Sequence, residues 1–265
     1  GKYSPLEVAD WIEAHAKTGI AALADAEAAA QDKAAPDYRR MTIDIAIQCA
    51  LGRFFAAKLR AGILFALFQQ TGDAGALAHA VTLYREARAA LADGAARADR
   101  VYMRDITFGQ EFNLRGHWID RLPAIDRDIA AIAQLSTRTD KADPRAAKAV
   151  QAALGRPVRP RPVASHRPPG MFHAGQPLTL TITVRGAVRN VRLHYRHVDQ
   201  AERYAIIDMA RNGGSFTAAI PAAYTGSNFP LQYYFVIEPA SGPAAIYPGF
   251  DASLDNSPYY VCRRA

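Results

Sequence analysis

The chain has 265 residues, half of them hydrophobic, and carries 32 Lys and Arg against 25 Asp and Glu, a formal charge of +7. This composition supports two ordinary domains with buried cores and argues against global disorder. The positive charge is local: residues 1–135 hold 16 basic and 17 acidic side chains, residues 136–170 hold 8 and 2, and residues 171–265 hold 8 and 6. An excess confined to a connecting stretch is not the basic face of a nucleic-acid-binding domain, so no nucleic-acid partner is expected.

The chain opens Gly1-Lys2-Tyr3 without Met, which reads as a processed, truncated or engineered start, and no signal peptide is visible. Ser4-Pro5-Leu6-Glu7 then has the form of a capping box with proline at the first helical position. The helix it starts runs to about Gln31, and Pro36 opens the next. From Asp37 to Thr71, Ile43, Ile47, Ala50, Leu51, Phe54, Phe55, Leu59, Ile63, Leu67 and Phe68 recur at helical spacing and predict one wide buried face. Gly52 and Gly62 weaken that helix intrinsically, and each is expected to let a neighbouring helix approach closely. Gly72 and Asp73 predict a stop and a restart. Leu77, Val81, Tyr84, Ala87 and Leu91 give the third helix its stripe, and Leu64–Leu91 resembles a single tetratricopeptide-type hairpin.

Helical periodicity breaks over residues 101–116. A fourth helix follows, with Trp118, Leu122, Ile125, Ile129 and Ile132 on one face, and a short helix starts at Pro144, capped by Asp143 and ended by Gly155. Next comes a strap, Gly155-Arg156-Pro157-Val158-Arg159-Pro160-Arg161-Pro162, of semi-rigid polyproline composition. The most apolar run, residues 61–68, is too short to cross a bilayer and is preceded by Arg53, Lys58 and Arg60, so no membrane span is expected.

From about Gly175 the period changes to two. Leu178–Val184, Val191–His197, Ala205–Met209, Ser215–Ile220, Leu231–Ile237 and Tyr259–Cys262 predict short strands, with a hairpin turn at Arg211-Asn212-Gly213-Gly214. The predicted fold class is therefore multidomain α and β: an antiparallel α-helical bundle (1–135), a Pro/Arg-rich linker with a short helix (136–175), and a β-sandwich (176–265). Cys49 and Cys262 fall in different modules and read as buried free thiols.

Three stretches of the last module, Tyr195 on its strand, Phe216–Pro221 and Gln232–Phe235, resemble the fibronectin-III-like or immunoglobulin-like modules appended to secreted bacterial hydrolases. The helical part, with Asp105-Ile106-Thr107-Phe108-Gly109 and Arg115-Gly116-His117-Trp118-Ile119-Asp120-Arg121, resembles the helical region preceding such modules in large carbohydrate-acting proteins. The resemblance implies a non-catalytic accessory region that docks on an upstream catalytic domain or partner subunit and binds glycan weakly, in the periplasm or outside the cell.

The richest stretch for chemistry is 101–121, because function tends to sit on loops held by rigid scaffolds. Asp105 and Glu111 are candidates for a carboxylate pair acting on a glycosidic bond, and His117 beside Asp120 for an oriented base. The same side chains also suit structural ion pairs, Arg115 with Asp120 or Arg121 with Asp126. Tyr102, Phe108, Arg115, Trp118, Asp120 and Arg121 are the expected docking residues, since aromatic and arginine side chains favour interfaces. His194 and His197 are three apart on a strand and point to opposite faces, and His166 and His173 have no partner at ligand spacing, so no metal site is expected. No cofactor is expected either, for the phosphate-loop, Gly-x-Ser-x-Gly, His-Glu-x-x-His and Cys-x-x-Cys patterns are absent from the sequence. Two alternatives stay open: an interaction module with a groove along Leu77, Val81 and Tyr84, and a small glycosidase-like enzyme built on the 101–121 carboxylates.

Overall fold

The computed structural model describes residues 3–107, 109–111, 114–135, 144–156, 159 and 161–265. It divides into a helical unit, Tyr3–Pro157, and a β unit, Val158–Ala265. The order, helices first and strands after, is the mixed α and β class expected from the change of period.

In the helical unit, α1 (Pro5–Ala29) starts on the Ser4/Glu7 capping box, both halves of which form. Helix α2 (Pro36–Thr71) spans 36 residues, about 54 Å at 1.5 Å per residue. It ends at Gly72, whose left-handed φ of 73° closes the helix, and Asp73 caps α3 (Ala74–Ala98) by accepting the Ala76 N–H at 2.8 Å. Phe54, Leu64 and Phe68 of α2 pack with Leu77, Val81, Tyr84 and Leu91 of α3 and with Ile125 and Ile129 of α4 (Leu122–Ala133). Phe55, predicted on the buried face of α2, is half exposed. Small residues set the closest approaches: a Cβ on Gly52 would lie 3.0 Å from the Ala16 methyl, and one on Gly94 would lie 2.8 Å from that of Ala50. Gly62 departs from expectation, because among the described residues a Cβ there would meet nothing within 4 Å.

A partly buried charge cluster ties α1 to α2. The Arg60 guanidinium reaches Asp10 and, at 2.9 Å, Glu13, and Arg156 from the strap meets Glu13 at 3.0 Å. Burial alone would raise the Glu13 carboxyl, but Lys17 and Arg60 outweigh it and hold the group below its usual range.

The linker is shorter than the predicted 136–175. Helix α5 (Pro144–Leu154) belongs to the helical unit, with Val150 and Ala153 in its core. At the other end, Ala164–His166 pairs with Leu178–Val184. Flanking prolines and a three-residue length hid this strand's alternation. Asp143, the expected cap of α5, lies outside the described residues, as do Pro157, Val158 and Pro160 of the strap.

Two short strands, β1 (Ile106–Thr107) and β2 (Arg115–Gly116), pair within the helical unit. The β unit has two sheets. One orders β4 (Met171–Phe172), β12 (Tyr260–Arg264), β10 (Leu231–Pro239), β6 (Val188–His197) and β7 (Ala205–Asp208), with β11 (Ala245–Tyr247) also on β10. The other orders β3 (Ala164–His166), β5 (Leu178–Val184), β9 (Ser215–Ile220) and β8 (Ala210–Asn212). Apolar residues of both share one core: Val191, Leu193, Tyr195, Leu231, Tyr233, Phe235 and Ile237 from the first, Leu180, Ile182, Val184, Phe216, Ala218 and Ile220 from the second. The predicted hairpin forms with Asn212 opposite Ser215 across Gly213-Gly214, and Gly213 takes the positive φ of 58° that such a turn requires.

Candidate functional site

The 101–121 segment folds around its own polar groups. Tyr102 donates its hydroxyl to Asp44 of α2 and sets its ring edge-on to Trp118, 5.4 Å between centroids. Asp105 is held by Arg115 across the β1–β2 pair, on the surface, and Arg104 pairs with Asp99 at 2.9 Å. Asp105 therefore carries a structural ion pair. Glu111 is exposed, and its backbone carbonyl accepts the Leu114 N–H. His117 is buried, 1% exposed, and caps the 3₁₀ turn Trp118–Arg121 by accepting the Ile119 N–H at Nδ1. Asp120 completes that capping box by accepting the His117 backbone N–H at 2.7 Å, so its carboxylate holds the backbone rather than orienting the imidazole.

The ion pairs differ from those expected. Arg115 takes Asp105, not Asp120, and Asp126 is held by both Nε and Nη2 of Arg88, which together keep its carboxyl below the usual range. Trp118 packs against the helical core beside Leu122 and Ile132. Arg121 is exposed at the end of the turn, and Phe108 lies outside the described residues. The exposed surface of the segment is mixed: Met103 is 74% exposed and Val101 and Leu114 are exposed with it, among the exposed Arg104, Asp105, Glu111, Arg115 and Arg121.

In the β unit the histidines separate as their alternation requires. His194 stacks on Tyr234 at 4.8 Å, and burial above all, with Arg192 among the lesser causes, pushes its pKa down to about 4. His197 stacks on Tyr224 at 4.2 Å, with Nδ1 2.7 Å from Glu202 and Nε2 3.1 Å from the Tyr224 carbonyl. His166 sits among Tyr233, Phe235 and Tyr260, 2.7 Å from the Thr181 carbonyl and 2.9 Å from the Tyr233 hydroxyl, and burial lowers its pKa. Among the described residues, no group of three or more His, Cys, Asp or Glu is arranged to hold a metal ion.

A mostly apolar cavity lies elsewhere, where α2, α3 and α4 meet. It has a volume of about 360 Å³ and is lined by Ala61, Gly62, Phe65, Ala80, Ala131 and Ile132, with Lys58, Tyr84 and Asp128 at its polar end. Tyr84 donates its hydroxyl to Asp128 Oδ2 at 3.1 Å, and burial, then Asp128, pushes that hydroxyl up to about 12. The Lys58 ammonium lies over the rings of Tyr84, at 5.7 Å, and Phe54, at 5.3 Å. Leu77, Val81 and Tyr84, expected to be exposed along a partner groove, are all buried between the helices. Sequence reading passed over this cavity because Lys58 and Asp128 are 70 positions apart. The one local signal was Gly62, a costly glycine inside a helix.

No helix among the described residues is long and apolar enough to cross a membrane. No protein-family model matches the chain, and no curated protein matches it.

Proposed function

We propose that this chain is a non-catalytic accessory region of a larger carbohydrate-processing protein of the periplasm or cell exterior, with the 101–121 segment as its docking surface and the β unit as an immunoglobulin- or fibronectin-III-like spacer that binds glycan weakly. The observation that carries the docking role is the set of large apolar side chains exposed among paired charges in 101–121. Tyr102, Arg104, Asp105, Arg115, His117 and Asp120 bond within the helical unit, and Val101, Met103 and Leu114 are exposed beside them. A surface that mixes exposed apolar side chains with arginines already held in pairs suits an interface. The shared core of two sheets with antiparallel β5–β9 and β6–β10 ladders supports the spacer reading.

The test is retention of glycoside hydrolase activity from a lysate of the source organism on a column of the immobilised chain. Activity should be held by the native chain and released by Met103→Asp. Retention of none, or equal retention by the variant, would overturn the reading. The enzymatic alternative is checked in parallel: hydrolysis of a glycan panel by the purified chain, lost in Asp105→Asn or Glu111→Gln, would replace the accessory reading.

A further inference from the structure

Gly62 sits mid-way along α2, where glycine costs helix stability, on an exposed part of its surface, and among the described residues no neighbour comes close enough to require it. What the missing side chain leaves is space in the cavity between α2, α3 and α4. That cavity is polarised. One end holds an ammonium, Lys58, and a carboxylate, Asp128, both beside Tyr84. Along α2, Gly62 and Phe65 follow Lys58 by four and seven residues, about 6 and 10 Å further on, and the lining there is Ala61, Phe65, Ala80, Ala131 and Ile132. Lys58 and Asp128 form no ion pair among the described residues: the ammonium rests on aromatic faces and the carboxylate accepts a phenol. Two opposite charges beside one ring, exposed and not paired with each other, and an apolar groove beyond them fit a ligand with the same layout.

We infer that this pocket binds a free α-amino acid with a large apolar side chain. Lys58 takes the carboxylate, Asp128 takes the ammonium, and the side chain enters the recess over Gly62 against Phe65 and Ile132. A volume of about 360 Å³ is within the range of small-molecule sites. The Tyr84 hydroxyl, by donating to Asp128, fixes the carboxylate that selects the ammonium. The inference does not rest on the accessory reading, which concerns the 101–121 segment.

The experiment is calorimetric titration of the purified chain with L-phenylalanine and L-leucine, and with two truncated probes: 2-phenylethylamine, which lacks the carboxylate, and 3-phenylpropionate, which lacks the ammonium. An amino acid should bind with Kd below about 1 mM, and each truncated probe about tenfold or more weaker. Gly62→Leu fills the recess and should abolish binding without lowering the melting temperature. Should that variant lose its fold, Asp128→Asn decides: it should weaken L-phenylalanine about tenfold and leave 3-phenylpropionate no weaker. Absence of binding by either amino acid, truncated probes that bind as tightly as the parent, or binding that survives in a folded Gly62→Leu would overturn the inference.

Discussion

The two units bury polar groups by different means. The helical unit uses charge: Arg60 is 14% exposed and is matched by Asp10 and Glu13, with Arg156 added from the strap. The β unit adds uncharged rings to its ion pairs: beside Arg192 with Glu238 and His197 with Glu202, His166 lies in an aromatic cage with Nδ1 donating to the Thr181 carbonyl, and His194 lies flat on Tyr234. Helices pack through long side chains that reach past the backbone to one another, so a guanidinium finds carboxylates on the adjacent helix. Strands present alternate side chains to a layer already crowded with aromatics, where a proton is harder to keep than a hydrogen bond. The contrast gives the units different sensitivities to truncation, charge and acid.

The largest separation should come from the cores. Phe235→Ala opens a fully buried site and should cost the β unit about 3–5 kcal/mol. Both tryptophans, Trp11 and Trp118, belong to the helical unit, so their fluorescence in a denaturant titration should not register that loss, whereas amide exchange in β10 should. A shift of the tryptophan transition by the same amount would mean that the two units do not differ in the way described.

Removing the charge match comes next. Arg60→Ala leaves Asp10 and Glu13 without their main partner and should cost the helical unit about 3 kcal/mol, read from the tryptophan transition. Acid sharpens the same contrast. Glu13 has a folded pKa below its ordinary 4.5, so the stability it contributes is complete above about 4.5 and is lost as pH falls through the lowered value. His166 and His194 have folded pKa values below 6.5, so the unfolded β unit takes up protons first, and its stability falls between about pH 6.5 and pH 4. The β unit should therefore weaken at a higher pH than the helical unit in far-UV circular dichroism. His194→Phe, which keeps a ring on Tyr234, should move its transition to lower pH.

The smallest effects are a matched pair on glycine. Gly94→Ala places a methyl 2.8 Å from that of Ala50 and should destabilise by about 1–3 kcal/mol. Gly62→Ala meets nothing among the described residues and should stabilise α2 by about 0.5–1 kcal/mol in thermal unfolding. Equal signs for the two would break the distinction between a glycine that packs and one that leaves a cavity open.

Much of this architecture was legible from local chemistry. Ser4 and Glu7, Gly72 and Asp73, and Gly213-Gly214 each specify a cap or turn within a few residues, and the structure puts each where its residues require. What escaped were features that need two distant segments at once. Arg60 finds Asp10 and Glu13 about fifty positions away, and Lys58 and Asp128 line one cavity only because α2 and α4 both pack beside Tyr84. His166 was assigned to a linker because prolines surround it, yet its place is set by Tyr233, 67 positions on. Within 101–121, the residue types announced a polar loop. Which carboxylate served which arginine, and that His117 served as a cap, depended on the β1–β2 register and the 3₁₀ turn that follows.

Strand β10 has both faces packed, with Gln232 and Val236 buried opposite Tyr233 and Phe235. One of its edges is fully covered by β6, which precedes it; the other is divided between β12 and β11, which follow it. During synthesis, then, β10 can join β6 while its second edge is still bare. About twenty more residues separate Pro239 from Tyr260, about one to four seconds of translation at about 5–20 residues per second. For that interval the newborn chain presents Leu231–Tyr233, the part of the edge that β11 does not reach, as an open template to any neighbouring nascent copy. The interval ends when residues 260–262 emerge and close it.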